Sequence, residues 1–166
     1  MRVGLEIGTV KLSMDEIAER LSAAFADELV DVRVQEPDTV VARLEPARLK
    51  DVARRLKELP QLAYETLNWI AGVDLGTQFE SVYHLFSWRT TTYLELHVRL
   101  PRAKPEVDTV SDVWPSADWH EREAWDMMGI RYRGHPDLRR ILLRDDFVGH
   151  PLRKDYVDLA ENHPHA

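Results

Sequence analysis

Apolar positions recur every third or fourth residue in two stretches of the chain and every second residue in four others. The first helical stretch, 13–29, buries one face through Met14, Ile17, Ala18, Leu21, Ala24 and Phe25. Ser13 and Glu16 stand at capping-box spacing ahead of it, so each side chain can satisfy a free backbone N–H. Val30, Val32 and Val34 alternate, as do Val40, Ala42 and Leu44, and Glu36-Pro37-Asp38 between them signals a hairpin turn. A second helix is predicted over 46–59. Pro46 suits its first position, Leu49, Val52, Ala53 and Leu56 form its stripe, and Pro60 ends it.

Residues 65–75 fit no single period; Leu67, Trp69 and Ile70 are expected inside, with Gly72 and Gly76 framing a turn. A second hairpin follows, 79–88 and 92–100, in which Leu94, Leu96, Val98 and Leu100 face the core. Its other face is left exposed or for a partner. Pro101 and Pro105 then end the strand, and a short helix is predicted over 108–113. Another helix follows Pro115, with Ser116 as N-cap and Gly129 as stop. From 130 to 156 turn residues dominate. The order α-β-β-α-β-β-α predicts an α+β fold, a mixed or antiparallel sheet with helices on one face. We divide it into an α+β domain (1–105), a helix and irregular basic strap (106–157) and a flexible tail (158–166).

Composition narrows the function classes. The 166 residues contain no cysteine, which removes disulfides, a Cys nucleophile and Cys-held zinc or iron–sulfur clusters. No apolar run approaches the roughly 18 residues that span a bilayer, and Met1 to Leu12 carry no signal-peptide core. Work at a membrane would need a partner. The net charge of −7 hides an asymmetry. Residues 131–156 hold seven basic against four acidic residues, leaving fifteen against twenty-five elsewhere. Such a strap folds onto its own acidic body, docks an acidic partner or binds nucleic acid. Interleaved acids and prolines argue against a nucleic-acid stripe.

Several constellations carry possible chemistry. His120, Glu123, His135 and His150 are metal-ligand types, but their spacing is not that of two His one helical turn apart. Glu121 and Glu123, two apart, point to different faces of a helix and cannot share one small substrate. They suit anchoring instead, paired with arginines among Arg122, Arg139, Arg140 and Arg153. In Gly134-His135-Pro136 and Gly149-His150-Pro151 the proline extends the histidine and the glycine allows a sharp bend. Each His is then a corner residue, a ligand, a proton relay or a partner contact. Trp114, Trp119 and Trp125 serve as core filler or interface anchors.

Three ordered blocks complete the picture. Glu121-Arg122-Glu123-Ala124-Trp125-Asp126-Met127-Met128-Gly129-Ile130 is followed by Gly134-His135-Pro136-Asp137-Leu138-Arg139-Arg140-Ile141-Leu142 and by Gly149-His150-Pro151-Leu152-Arg153-Lys154-Asp155-Tyr156. Together they resemble the C-subunit, or 30-kilodalton subunit, family of NADH-quinone oxidoreductase, respiratory complex I. Val157 stands where many members have proline. The resemblance implies a chain that binds no flavin, iron–sulfur cluster or quinone itself, with NADH and quinone as substrates of the whole complex. The implied partners are the large subunit that is similar to that of nickel–iron hydrogenases, and the iron–sulfur subunits of the peripheral arm. The implied partner-binding residues are Glu121, Arg122, Glu123, Asp126, Gly129, Ile130, His135, Pro136, Arg139, Arg140, His150, Pro151, Arg153, Lys154 and Asp155. The implied place is the cytoplasmic side of the cell membrane, held indirectly through the complex. Similar subunits occur in ferredoxin- or F420-linked dehydrogenases and in membrane-bound hydrogenases.

Overall fold

A computed structural model describes residues 11–35, 37–159 and 162. Helix α1 (Met14–Ala24) starts as its capping box dictates, with Glu16 N–H donating to Ser13 Oγ and Ser13 N–H to Glu16 Oε2. It stops short of the predicted end at 29, because Phe25 caps it and turns inward. Strands β1 (Leu29–Gln35) and β2 (Thr39–Leu44) form the expected antiparallel hairpin. One 3-10 turn (Pro46–Arg48) leads into α2 (Leu49–Glu58), whose stripe Leu49, Val52, Ala53 and Leu56 is buried as its spacing requires.

The ambiguous stretch is strand β3 (Thr66–Asp74), paired antiparallel with β4 (Gln78–Ser87). A bulge between Leu67 and Trp69 reverses the alternation. Leu67 and Ile70 therefore face the core, whereas Trp69, expected inside, is 37% exposed on the opposite face. Gly72 is a strand residue opposite Ser81, not a turn residue. An added Cβ there would crowd Met128, so its role is close packing. Gly76, at φ +86°, makes the turn alone. β4 pairs with β5 (Thr92–Pro101), and β5 runs parallel to β2, which gives one mixed sheet in the order β1-β2-β5-β4-β3.

The core is a single cluster joining helical residues such as Ile17, Leu21, Leu56 and Ala124 to the inner strand residues Val40, Ala42, Tyr83, Leu94, Leu96 and Val98. Val41 and Val82, on the outer face, are not part of it. The helices thus lie on one face, as the α+β reading expects.

The helix predicted over 108–113 does not form. Glu106–Asp108 make a short strand, β6, parallel to β7 (Arg131–Arg133), because Val107 and Tyr132 both bury there. The next residues complete only one turn, with Val113 and Trp114 N–H both donating to Val110 O. Helix α3 (Ala117–Met128) ends at Gly129 in the left-handed region, as expected. Ser116 sits at its start but does not cap it; its hydroxyl donates instead to Leu67 O on the edge strand β3. Residues 160, 161 and 163–166 of the predicted tail, and residues 1–10 of the N-terminal segment, lie outside the described residues.

Candidate functional site

Helix α3 ends with carbonyls that no further turn can satisfy, and the irregular segment after β7 satisfies them. Gly129 N–H closes back on Trp125 O. His150 Nδ1 donates to Asp126 O at 2.9 Å, Leu152 N–H to Met127 O at 3.1 Å, and Arg153 Nε to Met128 O at 2.7 Å. Two guanidiniums, Arg140 and Arg153, meet the negative end of the helix dipole, where cations belong. The basic strap folds onto its own body at the place where backbone charge favours it.

Asp126 is the hub. Its carboxylate is fully buried, and Oδ2 accepts three consecutive backbone N–H groups, from Ile141 (3.1 Å), Leu142 (2.9 Å) and Leu143 (3.0 Å). Oδ1 accepts Arg140 Nη1 at 2.5 Å. Burial alone would raise the carboxyl pKa. The amides of Leu143, Leu142 and Ile141 and the Arg140 guanidinium outweigh it, so the group titrates below the ordinary carboxylate range. Arg140 is the second clamp. Its Nη2 donates to Phe147 O at 2.7 Å and Gly149 O at 3.1 Å, drawing the strap's far limb back to the helix.

The first glycine corner docks near the other end of α3. The side chains of His135 and Glu121 are both fully buried, 3.9 Å apart at their closest atoms. His135 Nε2 donates to Asp118 O at 3.1 Å, and Nδ1 accepts Asp137 N–H at 3.0 Å, so both ring nitrogens are satisfied by backbone groups. Glu121 accepts Thr109 Oγ1–H at 2.5 Å and Val110 N–H at 2.8 Å. Burial lifts its carboxyl to about 7, and those two bonds return only part of the shift. Arg122 Nε and Nη2 donate to the carbonyls of Arg139 and Arg140, while its guanidinium lies over Trp119.

The second corner turns at Gly149, φ +97°. Burial lowers the pKa of His150, with Arg153 and Arg140 adding to the effect, which favours its neutral ring. The last block reaches the β3–β4 turn. Lys154 N–H donates to Asp74 Oδ2 at 2.9 Å, and Arg102 bridges Asp74 and Asp155, each at 2.7 Å. Arg102 holds the Asp74 carboxyl far below its ordinary value. Asn162 closes the strap, accepting from Val148 N–H and donating to Val148 O.

One expectation about the acids needs correction. Glu121 and Glu123 do not pair with arginines. Glu121 is buried against Thr109 and Val110, and Glu123 is exposed with no ion pair among the described residues. Asp126 takes the anchoring role, because an i+5 position turns its carboxylate under the strap. Arg139 pairs with exposed Asp137. The four residues of metal-ligand type, His120, Glu123, His135 and His150, whose spacing argued against a metal site, do not converge. His135 lies beside Asp118 and Glu121 and His150 beside Asp126, while Glu123 faces out. Among the described residues no group of three or more His, Asp or Glu is placed to hold a metal. Of the three tryptophans, Trp114 is core filler, Trp119 is 64% exposed and Trp125 is half-buried. Pro136 and Lys154 are exposed, Pro151 is half-buried and Ile130 lies in the core. Asp74 and Arg102 hold the strap, and Thr109 holds Glu121, although nothing in their local sequence singles them out. Leu142, Leu152 and Val157 remain more than half exposed.

The sequence pattern of a family described as respiratory-chain NADH dehydrogenase, 30 Kd subunit, matches residues 42–162. The chain is 43% identical over 142 residues to the NADH-quinone oxidoreductase C-subunit of Roseiflexus castenholzii, covering 84% of this chain and 81% of that protein. It is 46% identical over 143 residues to the C-subunit of Geobacter sulfurreducens, covering 82% and 85%. Among solved structures it is similar to a chain of the membrane-bound sulfane sulfur reductase, an archaeal respiratory membrane complex. There the TM-score is 0.76 at 25% identity, over 89% of this chain and 87% of that one. It is also similar to a trypsin-resistant fragment (1–134) of Nqo5, with TM-score 0.60 at 26% identity, over 75% and 98%.

Proposed function

Because the chain belongs to the family of the 30-kilodalton subunit of respiratory-chain NADH dehydrogenase, we propose that it acts as that subunit in a complex I-type NADH-quinone oxidoreductase, which couples electron transfer to quinone with proton translocation. Its part is mechanical. It braces the hydrogenase-like large subunit at the quinone site, and binds no flavin, cluster or metal of its own. Flavin and iron–sulfur clusters belong to neighbouring subunits, and catalysis belongs to the complex.

The observation that carries this reading is the strap itself. Asp126, Arg140 and Arg153 hold it in one conformation, yet Leu142, Leu152 and Val157 on it, and Trp119 beside it, stay exposed. Fixed, outward apolar groups on an otherwise polar segment suit a partner that covers them. A segment ordered in advance also loses little freedom on docking. Among the described residues no helix is long and apolar enough to cross a membrane. Attachment on the cytoplasmic side through the large subunit and the membrane arm fits that.

The likeness to a chain of the sulfane sulfur reductase favours a second reading, the equivalent subunit of a ferredoxin- or F420-linked dehydrogenase or a membrane-bound hydrogenase. Affinity purification at native expression tests both. Recovery of a hydrogenase-like large subunit with iron–sulfur subunits supports the common reading, and the donor module that comes with them separates the two. Isolation of the chain alone as a redox enzyme with bound flavin or iron would overturn it.

A further inference from the structure

The outer face of the sheet carries two features that neither the core nor the strap uses. At one end, five aromatic rings form a continuous ladder across three strands. Trp69 stacks on His84 at 4.6 Å, His84 meets Tyr93 at 4.9 Å, Tyr93 meets Phe86 at 4.9 Å, and Phe86 meets Trp88 edge-on at 5.0 Å. The bulge that turns Trp69 outward creates the ladder. Trp88 is 63% exposed, but its indole N–H is tied to Thr66 Oγ1 at 3.1 Å, so the ladder is rigid as well as open. Burial keeps His84 neutral, so no charge interrupts the rings.

At the other end lies a depression of about 70 Å³, lined by Arg33, Arg43, Arg99, Asp31 and Glu80 among others. Glu80 is already committed to His97 and Arg99. Among the described residues Arg33 and Arg43 make no ion pair; Asp31 is the lining acid left after Glu80, and Glu95, opposite Val41, bonds His97. The depression therefore has a surplus of one positive charge and room for about one carboxylate. Between the two ends Glu80 and Glu95 both bond His97, and Val41 and Val82 are nearly inaccessible. Arg33 and Trp69 lie on the same cross-strand row, through Val41, Glu95 and His84. Four strand spacings put them about 19 Å apart.

We infer that this face is a second docking surface, distinct from the strap, for a protein segment that lays an apolar patch on the Trp69–Trp88 ladder and places one carboxylate between Arg33 and Arg43. The inference rests on the reading of the chain as one subunit of a larger complex. Tryptophan, tyrosine and arginine are the residues that dominate interface energies. The charge surplus selects an acidic occupant, and a second copy of the chain would set Arg33 and Arg43 against an equally rigid aromatic patch.

The test uses the whole complex in the cell that makes it, with p-benzoylphenylalanine placed singly at position 88 on the ladder and at position 152 on the strap. After irradiation the adducts are identified by peptide mass spectrometry. The inference expects an adduct at 88 with another subunit of the complex, on a segment holding apolar residues and an Asp or Glu. Arg43→Glu should cut that adduct about tenfold, Arg43→Lys should leave it near normal, and lysine at the partner's acid should restore the Arg43→Glu variant. Adducts at 152 alone would overturn the inference and leave the strap reading standing. An adduct at 88 with a second copy of this chain, or on a segment without an acid, would also overturn it. Adducts at neither position would remove both.

Discussion

Removing the carboxylate of Asp126 should release the strap while leaving the sheet intact. Asp126→Ala strips Arg140, whose side chain is only 12% exposed, of its buried acid and leaves three consecutive amide N–H groups without an acceptor. Breaking a buried ion pair from one side costs about 3–5 kcal/mol. Each stranded N–H adds about 1–3 kcal/mol if it stays dry. Leu142 is 61% exposed, so water reaches the amides once the strap lifts, and the first figure dominates. Asp126→Asn keeps one oxygen for the amides but loses the charge, and should fall between wild type and alanine. Hydrogen exchange gives the direct readout. Protection of the 141–143 amides should drop by about a hundredfold or more in the alanine variant, since ~3 kcal/mol is over two decades in an equilibrium constant. Amides of β4 and β5 should keep theirs, and trypsin should cut faster after Arg139, Arg140 and Arg144. The native Asp126 titrates below its ordinary value, so the clasp is complete at neutral pH and is lost as pH falls through that lowered pKa. Unchanged protection of the 141–143 amides in Asp126→Ala would refute the reasoning.

Three further outcomes follow from the same geometry. Glu121 is raised from 4.5 to about 7, so its contribution to stability is full below 4.5 and disappears as pH rises through 7. Glu121→Gln should flatten that slope and gain up to ~3 kcal/mol over wild type at pH 8 relative to pH 4, as urea midpoints at the two pH values would show. Gly129→Ala should cost at least about 1–2 kcal/mol, because the position needs φ +71°. Its Cβ would also displace Arg153 and His150, so exchange at Leu152 N–H should rise in parallel. Glu123→Ala should change the stability of the isolated chain by little, under ~0.5 kcal/mol from its thermal midpoint, as for an exposed side chain with no ion pair among the described residues.

Most of the frame was legible because the chain marks it with local rules. The Ser13–Glu16 box, the α2 stripe, the two hairpins and the Gly129 stop each depend on residues within one turn or one pleat of each other. Reading failed where a distant contact overrode the local pattern. The bulge after Leu67 is set by pairing with β4, and it turned Trp69 outward against simple alternation. Residues 108–113 had helical texture, but Val107 finds more burial beside Tyr132 in a parallel pair. Ser116 had the composition of a cap, and Leu67 O, 49 positions away, took its hydroxyl. The strap was recognisable from its motifs, yet the assignment of acids within it was wrong. Charge counting treats Glu121, Glu123 and Asp126 alike. Only the helix geometry shows that Asp126 faces the strap, Glu121 faces the core and Glu123 faces out. Asp74 and Arg102 could not have been found at all, since they meet Lys154 and Asp155 across more than 50 residues of chain.

The central claim is that the strap braces the complex and takes no part in its chemistry. Arg153 tests it most directly, because its Nε holds the last carbonyl of α3 and its guanidinium lies over Phe79. The measurement is quinone-reductase activity divided by the amount of assembled complex, in membranes from cells carrying Arg153→Ala. The account predicts less assembled complex, with activity per complex within about twofold of normal, as for a residue that acts only through assembly. A fully assembled complex whose turnover has dropped by about a hundredfold or more, the scale of a lost proton donor, would contradict it.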